Sequence, residues 1–136
     1  MYPLRNKERT LAAVAALNRG DVDGYLAIYA PDAVVHGLPE HVTPDVAGHR
    51  EVLEELRRAL PDLRAQLAAV VAEGDLLAAR VTYWGTHQGL MLGATPTGRV
   101  VSWDAMTFRR FDAQGRVAER WVIGDDLGLL HELDLV

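Results

Sequence analysis

Residues 100–123 read VVSWDAMTFRRFDAQGRVAERWVI, and the predicted architecture starts from this stretch. A run rich in β-branched and aromatic residues occupies 100–111, turn formers follow at 112–115, and a second such run occupies 117–123. Two runs of this kind that are separated by a turn containing glycine predict a β-hairpin.

The segment before it repeats this pattern. Runs at 63–73 and 76–88 flank Glu73-Gly74-Asp75, which is a hairpin-type turn. A loop rich in glycine, proline and threonine at 89–99 joins the two hairpins. Residues 63–123 therefore predict an antiparallel meander of four strands.

The first half of the chain has the periodicity of helices. The predicted elements are helices at about 6–19, 22–29 and 49–60, a short strand at 33–36, a loop at 37–47 and a last helix from Asp125 or Asp126 to 133. The first helix is predicted to bury Leu11, Val14, Ala15 and Leu17. The order α-α-β-α-β-β-β-β-α predicts one α+β domain over residues 1–136, with the helices on one face of a curved antiparallel sheet.

The composition excludes several functional classes. The 136 residues are 49% hydrophobic and 24% charged, which suits a soluble domain with a core. Without cysteine there is no disulfide, thiolate metal site or cysteine nucleophile. The net charge is −5, and the pairs Arg57-Arg58 and Arg109-Arg110 are predicted to be solvated, so we expect no nucleic-acid partner. The polar start and the lack of a long apolar run predict no membrane partner and a cytoplasmic location.

Short motifs spread along the chain resemble the SnoaL-like polyketide cyclases of the nuclear transport factor 2-like superfamily. The matching pieces are Gly20-Asp21, YAPDAVVHG at 29–37, Pro61-Asp62-Leu63, Glu73-Gly74-Asp75, GTHQG at 85–89, PTGR at 96–99 and Glu119-Arg120-Trp121 followed by Asp125. The resemblance implies a cone-shaped α+β barrel in which helices and a curved sheet surround a pocket. Because one fold hosts many reactions, it implies the fold more strongly than the chemistry.

The resemblance also implies where an acid/base pair would stand. The family's aldol-type cyclases hold a histidine on the second-last strand and an aspartate on the last, at positions that correspond to Thr107 and Val122 here. Neither side chain is a useful proton acceptor near neutral pH. We therefore expect shaping of the substrate to matter more than acid/base power, with other residues supplying proton transfer.

Two histidines are candidates for that proton transfer. His36 ends the first predicted strand, and an imidazole with a pKa of about 6.5 suits a proton shuttle. Its alternative role is that of a partly buried histidine bonded to a loop carbonyl. His87 shares a strand face with Val81 and Tyr83 and is predicted to look into the pocket mouth. Its alternative role is to fix the 89–99 loop.

Asp104 is the third catalytic candidate, because a carboxylate inside a strand is unusual. Burial against Met106 and Phe108 would raise its pKa and make it a general acid or base. Strand alternation, however, places Asp104 opposite Thr107, which favours an outer or dimer-facing position with Arg80 or Arg110 as partner.

The predicted substrate-binding residues lie on the long strands. They are Tyr83, Trp84, Trp103, Met106, Thr107 and Val122. If Trp84 and Trp103 instead point outward, they form an apolar patch that a second copy would cover, so we expect a homodimer. Trp121 is interpreted as structural, Asp125 as a helix cap, and His41 and His49 as solvated residues beside the 37–47 loop.

These observations leave more than one function open. The first hypothesis is a cofactor-free cyclase, isomerase or hydrolase of a small, apolar, polyketide-like substrate, with relatives of epoxide hydrolase or ketosteroid isomerase type as variants. The second is a binding or accessory protein without a reaction, and the third is a dimeric structural partner whose cavity is filled by side chains. No histidine or carboxylate spacing typical of a metal site occurs, and we expect neither a metal nor a cofactor.

Overall fold

The computed structural model describes residues 2–136, so Met1 lies outside the described residues. Four helices and five strands follow one another in the predicted order. Their bounds are α1 Tyr2–Asn18, α2 Val22–Leu26, β1 Tyr29–His36, α3 Val46–Ala59, β2 Arg64–Glu73, β3 Leu76–Thr86, β4 Val100–Phe111, β5 Val117–Gly124 and α4 Asp126–Glu132. The predicted α+β class and the four-stranded meander are confirmed.

The five strands form one curved, unclosed sheet in the order β1-β5-β4-β3-β2. Strands β2 to β5 pair antiparallel along the chain. Strand β1 is the exception, since it pairs parallel with β5 and places Val35 opposite Arg120. The sheet is therefore mixed and not wholly antiparallel as predicted. A parallel pair needs a long crossover, which α3 and the meander provide here.

Cross-strand pairing fixes which side chains face the helices. Leu77, Arg109 and Arg120 are consecutive partners across β3, β4 and β5, and all three are buried. Helix α1 packs against β2 and β3, α3 against β1, and α4 against β4. We call this covered side of the sheet the inner face. The opposite side, the outer face, exposes Met106 and Ile123.

Aspartate caps determine where the two helices over the inner face begin. The Asp21 side chain accepts a hydrogen bond from the Gly24 amide at 2.8 Å, and Asp45 accepts one from Gly48 at 2.9 Å. Such caps satisfy amides that have no partner within the helix. Helices α2 and α3 thereby start at fixed points above the sheet. The predicted cap Asp125 is also confirmed, on α4.

Helix α1 buries Val14 and Leu17 as predicted but exposes Leu11 and Ala15, which were also predicted to be buried. It begins at Tyr2, so Asn6 lies inside the helix and is buried, while Leu11 is exposed. The Thr10 hydroxyl donates to the Asn6 carbonyl at 2.8 Å, which satisfies a buried polar group locally. Small polar residues can therefore occupy core positions that the apolar pattern assigned to leucine.

No helix among residues 2–136 combines the length and apolar character needed to cross a membrane.

Candidate functional site

Buried polar side chains from five elements meet on the inner face. They are Tyr25 of α2, Tyr29 of β1, His49 of α3, Arg109 of β4 and Arg120 of β5, all of them buried. We call this group the inner cluster. The predicted interior was largely apolar, and the cluster makes its deep part polar and cationic.

The Tyr25 hydroxyl is the centre of the inner cluster. Arg109 Nη2 donates to Tyr25 Oη at 3.2 Å, and His49 Nε2 lies 3.3 Å from the same oxygen. The Arg109 guanidinium carbon also stands 5.9 Å from the Tyr25 ring centroid and 5.6 Å from that of Tyr29. A charged donor and an imidazole nitrogen therefore share one phenolic oxygen in a site closed to water.

The two arginines have no acidic partner. Arg109 and Arg120 are direct cross-strand neighbours on the inner face, exposed by 3% and 2% respectively. Like charges that face each other across strands destabilise a sheet, and a buried unpaired charge is costly. Among residues 2–136 no aspartate or glutamate is buried. The inner cluster therefore carries an excess of positive charge.

This charge sets the protonation of its neighbours. Burial alone would raise the pKa of Tyr25, but the charges of Arg120 and Arg109 outweigh burial and hold that pKa below its usual 10.0. Burial raises the pKa of Tyr29. Burial, reinforced by both arginines, keeps the pKa of His49 well below 6.5. His49 is therefore neutral at neutral pH, and Tyr25 is the phenol that ionises most readily in the cluster.

Four buried atoms of the inner cluster have no hydrogen-bond partner. They are Arg109 Nη1, Arg120 Nε, Tyr29 Oη and His49 Nδ1. Native proteins pair most buried polar atoms, because an unpaired one costs about 1–3 kcal/mol. An oxygen-rich ligand would satisfy these groups, whereas a filled structural core would leave them unpaired.

Tyr83 and Trp103 extend the site along the inner face. Their rings stack with centroids 5.4 Å apart and planes inclined by 21°, and both side chains are partly exposed. The Arg120 guanidinium lies beside the Tyr83 hydroxyl and opposes the rise in the pKa of Tyr83 that burial causes. The stacked pair therefore lies beside the charged end of the site and is itself partly exposed.

Thr107 and Val122 occupy the places at which the resemblance implied an acid/base pair. They are direct partners across β4 and β5 on the inner face, as alternation predicted. The Thr107 hydroxyl donates to the Ala79 carbonyl at 3.4 Å, so its hydrogen is used within the sheet. Arg109 lies two residues after Thr107 on β4, and Arg120 lies two residues before Val122 on β5. Both arginines therefore face the same side of the sheet as Thr107 and Val122.

His36 lies on the outer face, away from the inner cluster. Its Nε2 is 2.6 Å from Glu119 Oε2, and its ring stacks on Trp121 with centroids 5.2 Å apart. Arg110 donates to the other Glu119 oxygen at 3.4 Å. The sheet separates His36 from Thr107, because β1 ends with Val35 facing inward and His36 outward.

The other two catalytic candidates, His87 and Asp104, are not part of the inner cluster either. His87 is fully buried, and its Nδ1 accepts hydrogen bonds from the Thr97 hydroxyl at 3.0 Å and from the Thr97 amide at 3.3 Å. It thus has the contacts of its alternative role, that of fixing the 89–99 loop. Asp104 is exposed on the outer face and accepts a hydrogen bond from the Thr82 hydroxyl at 2.7 Å.

The predicted substrate-binding residues divide between the two faces. Tyr83, Trp103, Thr107 and Val122 share the inner face, whereas Trp84 and Met106 lie on the outer face. The reason is the period of two, since Trp84 pairs with Ser102 and Met106 with Ile123, both of them on the outer side. Trp84 and Met106 are therefore not brought to the site.

The sequence did contain a signal for the inner cluster. With Thr107 and Val122 facing inward, a strand period of two also turns Arg109 and Arg120 inward. The prediction of a solvated Arg109-Arg110 pair is thus wrong for Arg109, which is buried. His49, predicted to be solvated, is buried too, because α3 packs its ring against those of Tyr25 and Tyr29.

Comparison with known proteins places this architecture in a family. The family model described as SnoaL-like polyketide cyclase matches residues 7–133. The fold is similar to that of AclR, a candidate hydroxylase of Streptomyces galilaeus, at 34% identity over 98% of each chain with a TM-score of 0.88.

Two further solved structures extend the likeness. IdmH, a candidate polyketide cyclase of Streptomyces antibioticus, is 30% identical over 95% of this chain and 98% of its own, with a TM-score of 0.82. A SnoaL-like polyketide cyclase of Agrobacterium tumefaciens is 25% identical over 94% and 97%, with a TM-score of 0.75. No curated protein matches the chain. The chain belongs to the SnoaL-like polyketide cyclase family.

Proposed function

We propose that the chain is a cofactor-independent cyclase or isomerase of a polyketide-like carbonyl compound. Tyr25 transfers the proton, and the guanidinium groups of the inner cluster stabilise the oxyanion that forms. The observation that supports this most directly is the Tyr25 hydroxyl between Arg109 Nη2 at 3.2 Å and neutral His49 at 3.3 Å. It supplies an acid/base group on the inner face, where Thr107 and Val122 supply none.

The proposed reaction begins with proton abstraction from a carbon next to a carbonyl group. The Tyr25 phenolate takes this proton, the C–H electron pair moves into the new C=C bond, and the carbonyl π electrons move onto the oxygen. Donors aimed at such an oxyanion in a dry site lower the barrier more than they would in water. Arg109 Nη1 has no other partner and is available for this role.

The enolate then has two outcomes. In an isomerase, Tyr25 returns its proton to a different carbon of the conjugated system. In an aldol-type cyclase, the enolate carbon attacks a second carbonyl of the same chain, and the resulting alkoxide takes the proton from Tyr25. The stacked rings of Tyr83 and Trp103 suit the flat apolar part of such a substrate.

Hydrogen–deuterium exchange on a simple ketone tests the proposed proton abstraction. The protein is expected to accelerate deuterium uptake at the carbons next to the carbonyl of tetralone in heavy water, followed by NMR. A His36→Ala variant is measured in parallel and is expected to retain exchange, because His36 lies on the outer face in contact with Glu119. Loss of exchange in His36→Ala with retained folding would instead make His36 the base, and no acceleration by the wild type would refute the proposal.

A binding protein without turnover is the second candidate function. The observation in its favour is the Thr107–Val122 pair, because neither side chain can act as a base. This candidate predicts that tetralone binds and perturbs the tryptophan fluorescence without any gain in exchange rate.

We also propose that the outer face pairs two copies of the chain. Met106 lies beside Ile123 and Phe108 beside Trp121, and all four are exposed in a continuous patch. Arg80 and Asp104 border the patch beside Met106, and a two-fold dimer would place this surface against its own copy. The predicted patch of Trp84 and Trp103 differs, since Trp103 faces inward onto Tyr83.

An acidic substitution tests this homodimer. Ile123→Asp is expected to weaken dimerisation at least about tenfold, because a carboxylate would lose its hydration in the interface. Leu11→Asp is the matched control, since Leu11 is also an exposed apolar residue but lies on α1, which covers the inner face. Sedimentation of the three proteins measures the change. A wild type that stays monomeric at high micromolar concentration would contradict the dimer.

A further inference from the structure

The charges of the inner cluster do not balance when the protein is empty. Arg109 and Arg120 carry two positive charges, and no buried carboxylate opposes them among the residues that the structure describes. The reaction proposed above uses one negative charge, the Tyr25 phenolate, which lies against Arg109 at 3.2 Å. Two guanidinium charges against one phenolate leave one positive charge without a counter-ion.

Arg120 has the features of an anion-binding group. It is 2% exposed, and its Nε has no hydrogen-bond partner. Burial alone would lower its pKa, but the negative charges of Tyr29, Tyr25 and Tyr83 in their ionised forms, with a hydrogen bond to Tyr83, raise that pKa, so Arg120 stays charged. The acidic residue next to it in sequence, Glu119, faces the other side of the sheet and is used by His36.

We propose that the substrate carries an anionic oxygen group, a carboxylate or an ionised enol, which Arg120 binds at the inner end of the cone. This inference rests on the proposed function, whose Tyr25 phenolate neutralises Arg109 and leaves Arg120 for the substrate. A guanidinium presents several N–H donors in one plane and binds flat anionic oxygen groups well. The anion would anchor the substrate while Arg109 Nη1 faces the reacting carbonyl.

Pairs of flat ligands that differ only in charge test the anchor without any reaction. Naphthoate and naphthamide have nearly the same shape, and the enolate of dimedone differs from its methyl enol ether by the charge and one methyl group. Isothermal titration at neutral pH is expected to show at least one anion binding about tenfold or more tightly than its neutral partner. The carboxylate pair and the enol pair together show which source of anionic oxygen the site accepts.

Variants test whether Arg120 causes the tighter binding of the anion. Arg120→Met is expected to abolish the advantage of the anion, with Arg120→Gln as the substitute if the first variant does not fold. Arg110→Met is the matched control, because Arg110 is the next residue on β4 after Arg109 and faces outward to Glu119. It should keep the advantage.

Two results would overturn the inference. One is that neither anion binds better than its neutral partner to the wild type, and the other is that the advantage survives in the Arg120 variant. Neither result affects the proton abstraction assigned to Tyr25, because that function is measured by exchange on a neutral ketone. Conversely, if Arg120 binds the anion but the protein does not accelerate exchange, the proposed reaction is refuted while the anion-binding role of Arg120 stands.

Discussion

Replacing Tyr25 with phenylalanine is expected to slow the deuterium exchange of tetralone by about a hundredfold to ten-thousandfold, the usual contribution of a positioned general base. The substitution removes one oxygen atom and keeps the ring that contacts Tyr29 and His49. Arg109 then loses the acceptor for its Nη2, while both guanidinium groups remain in place. The loss should fall on the rate constant and spare the binding of the ketone.

The pH profile separates a proton-transfer role of Tyr25 from a structural one. The pKa of Tyr25 is held below 10.0, and the base is its ionised form, so exchange should rise with pH until Tyr25 is fully ionised. The groups that face Tyr25 are Tyr29 on β1, His49 on α3, Tyr83 on β3, Arg109 on β4 and Arg120 on β5. In Tyr25→Phe this rise should vanish once the uncatalysed exchange of the ketone, which also increases with pH, is subtracted.

Tyr2→Phe provides the matched control for that experiment. Tyr2 is an exposed tyrosine on α1, so its loss should leave both the rate and the pH profile unchanged. Wild-type exchange in a folded Tyr25→Phe variant would rule out Tyr25 as the base.

Local sequence patterns were sufficient to predict the meander and the element order. Gly74 and Gly115 mark its hairpin turns, and both adopt positive φ values of 58° and 77° that glycine tolerates. The parallel pairing of β1 with β5 could not be predicted from the sequence, because it joins segments far apart in the chain and leaves no local pattern. The predicted boundary between the 37–47 loop and the helix at 49–60 also differs from the structure, in which α3 begins at Val46. The Asp45 cap, and not the apolar stripe, determines where this helix begins.

The candidate site was harder to predict because its members come from five elements. Each member has an ordinary local explanation, such as a helix aromatic for Tyr25 or a solvated residue at the start of a helix for His49. Only the shared inner face makes them a group, and that follows from the register of β4 against β5. By contrast, His36 was conspicuous at the end of its strand, but the same alternation turns its side chain outward to Glu119.

The buried imidazole of His49 makes stability fall on acidification. In the folded chain the pKa of His49 lies well below the 6.5 of an unfolded histidine, because of burial and of the Arg120 and Arg109 charges. Below about pH 6.5 the unfolded state therefore binds a proton that the folded state does not, and the free energy of unfolding decreases. The limit is about 1.4 kcal/mol per pH unit, or about 2 kcal/mol between about pH 7 and pH 5.

Urea denaturation at several pH values, with a His49→Gln variant, isolates this effect. The groups around His49 are Tyr25, Tyr29, Arg109 and Arg120, and the charges of the two arginines add to burial in lowering the pKa of His49. The lowered pKa of Glu119 acts only below the usual 4.5 of that side chain. His49→Gln should flatten the pH dependence, whereas His131→Gln, on the exposed side of α4, should keep it. An unchanged slope in His49→Gln would mean that His49 accepts a proton in the folded state and that the inner cluster is less cationic than its two arginines imply.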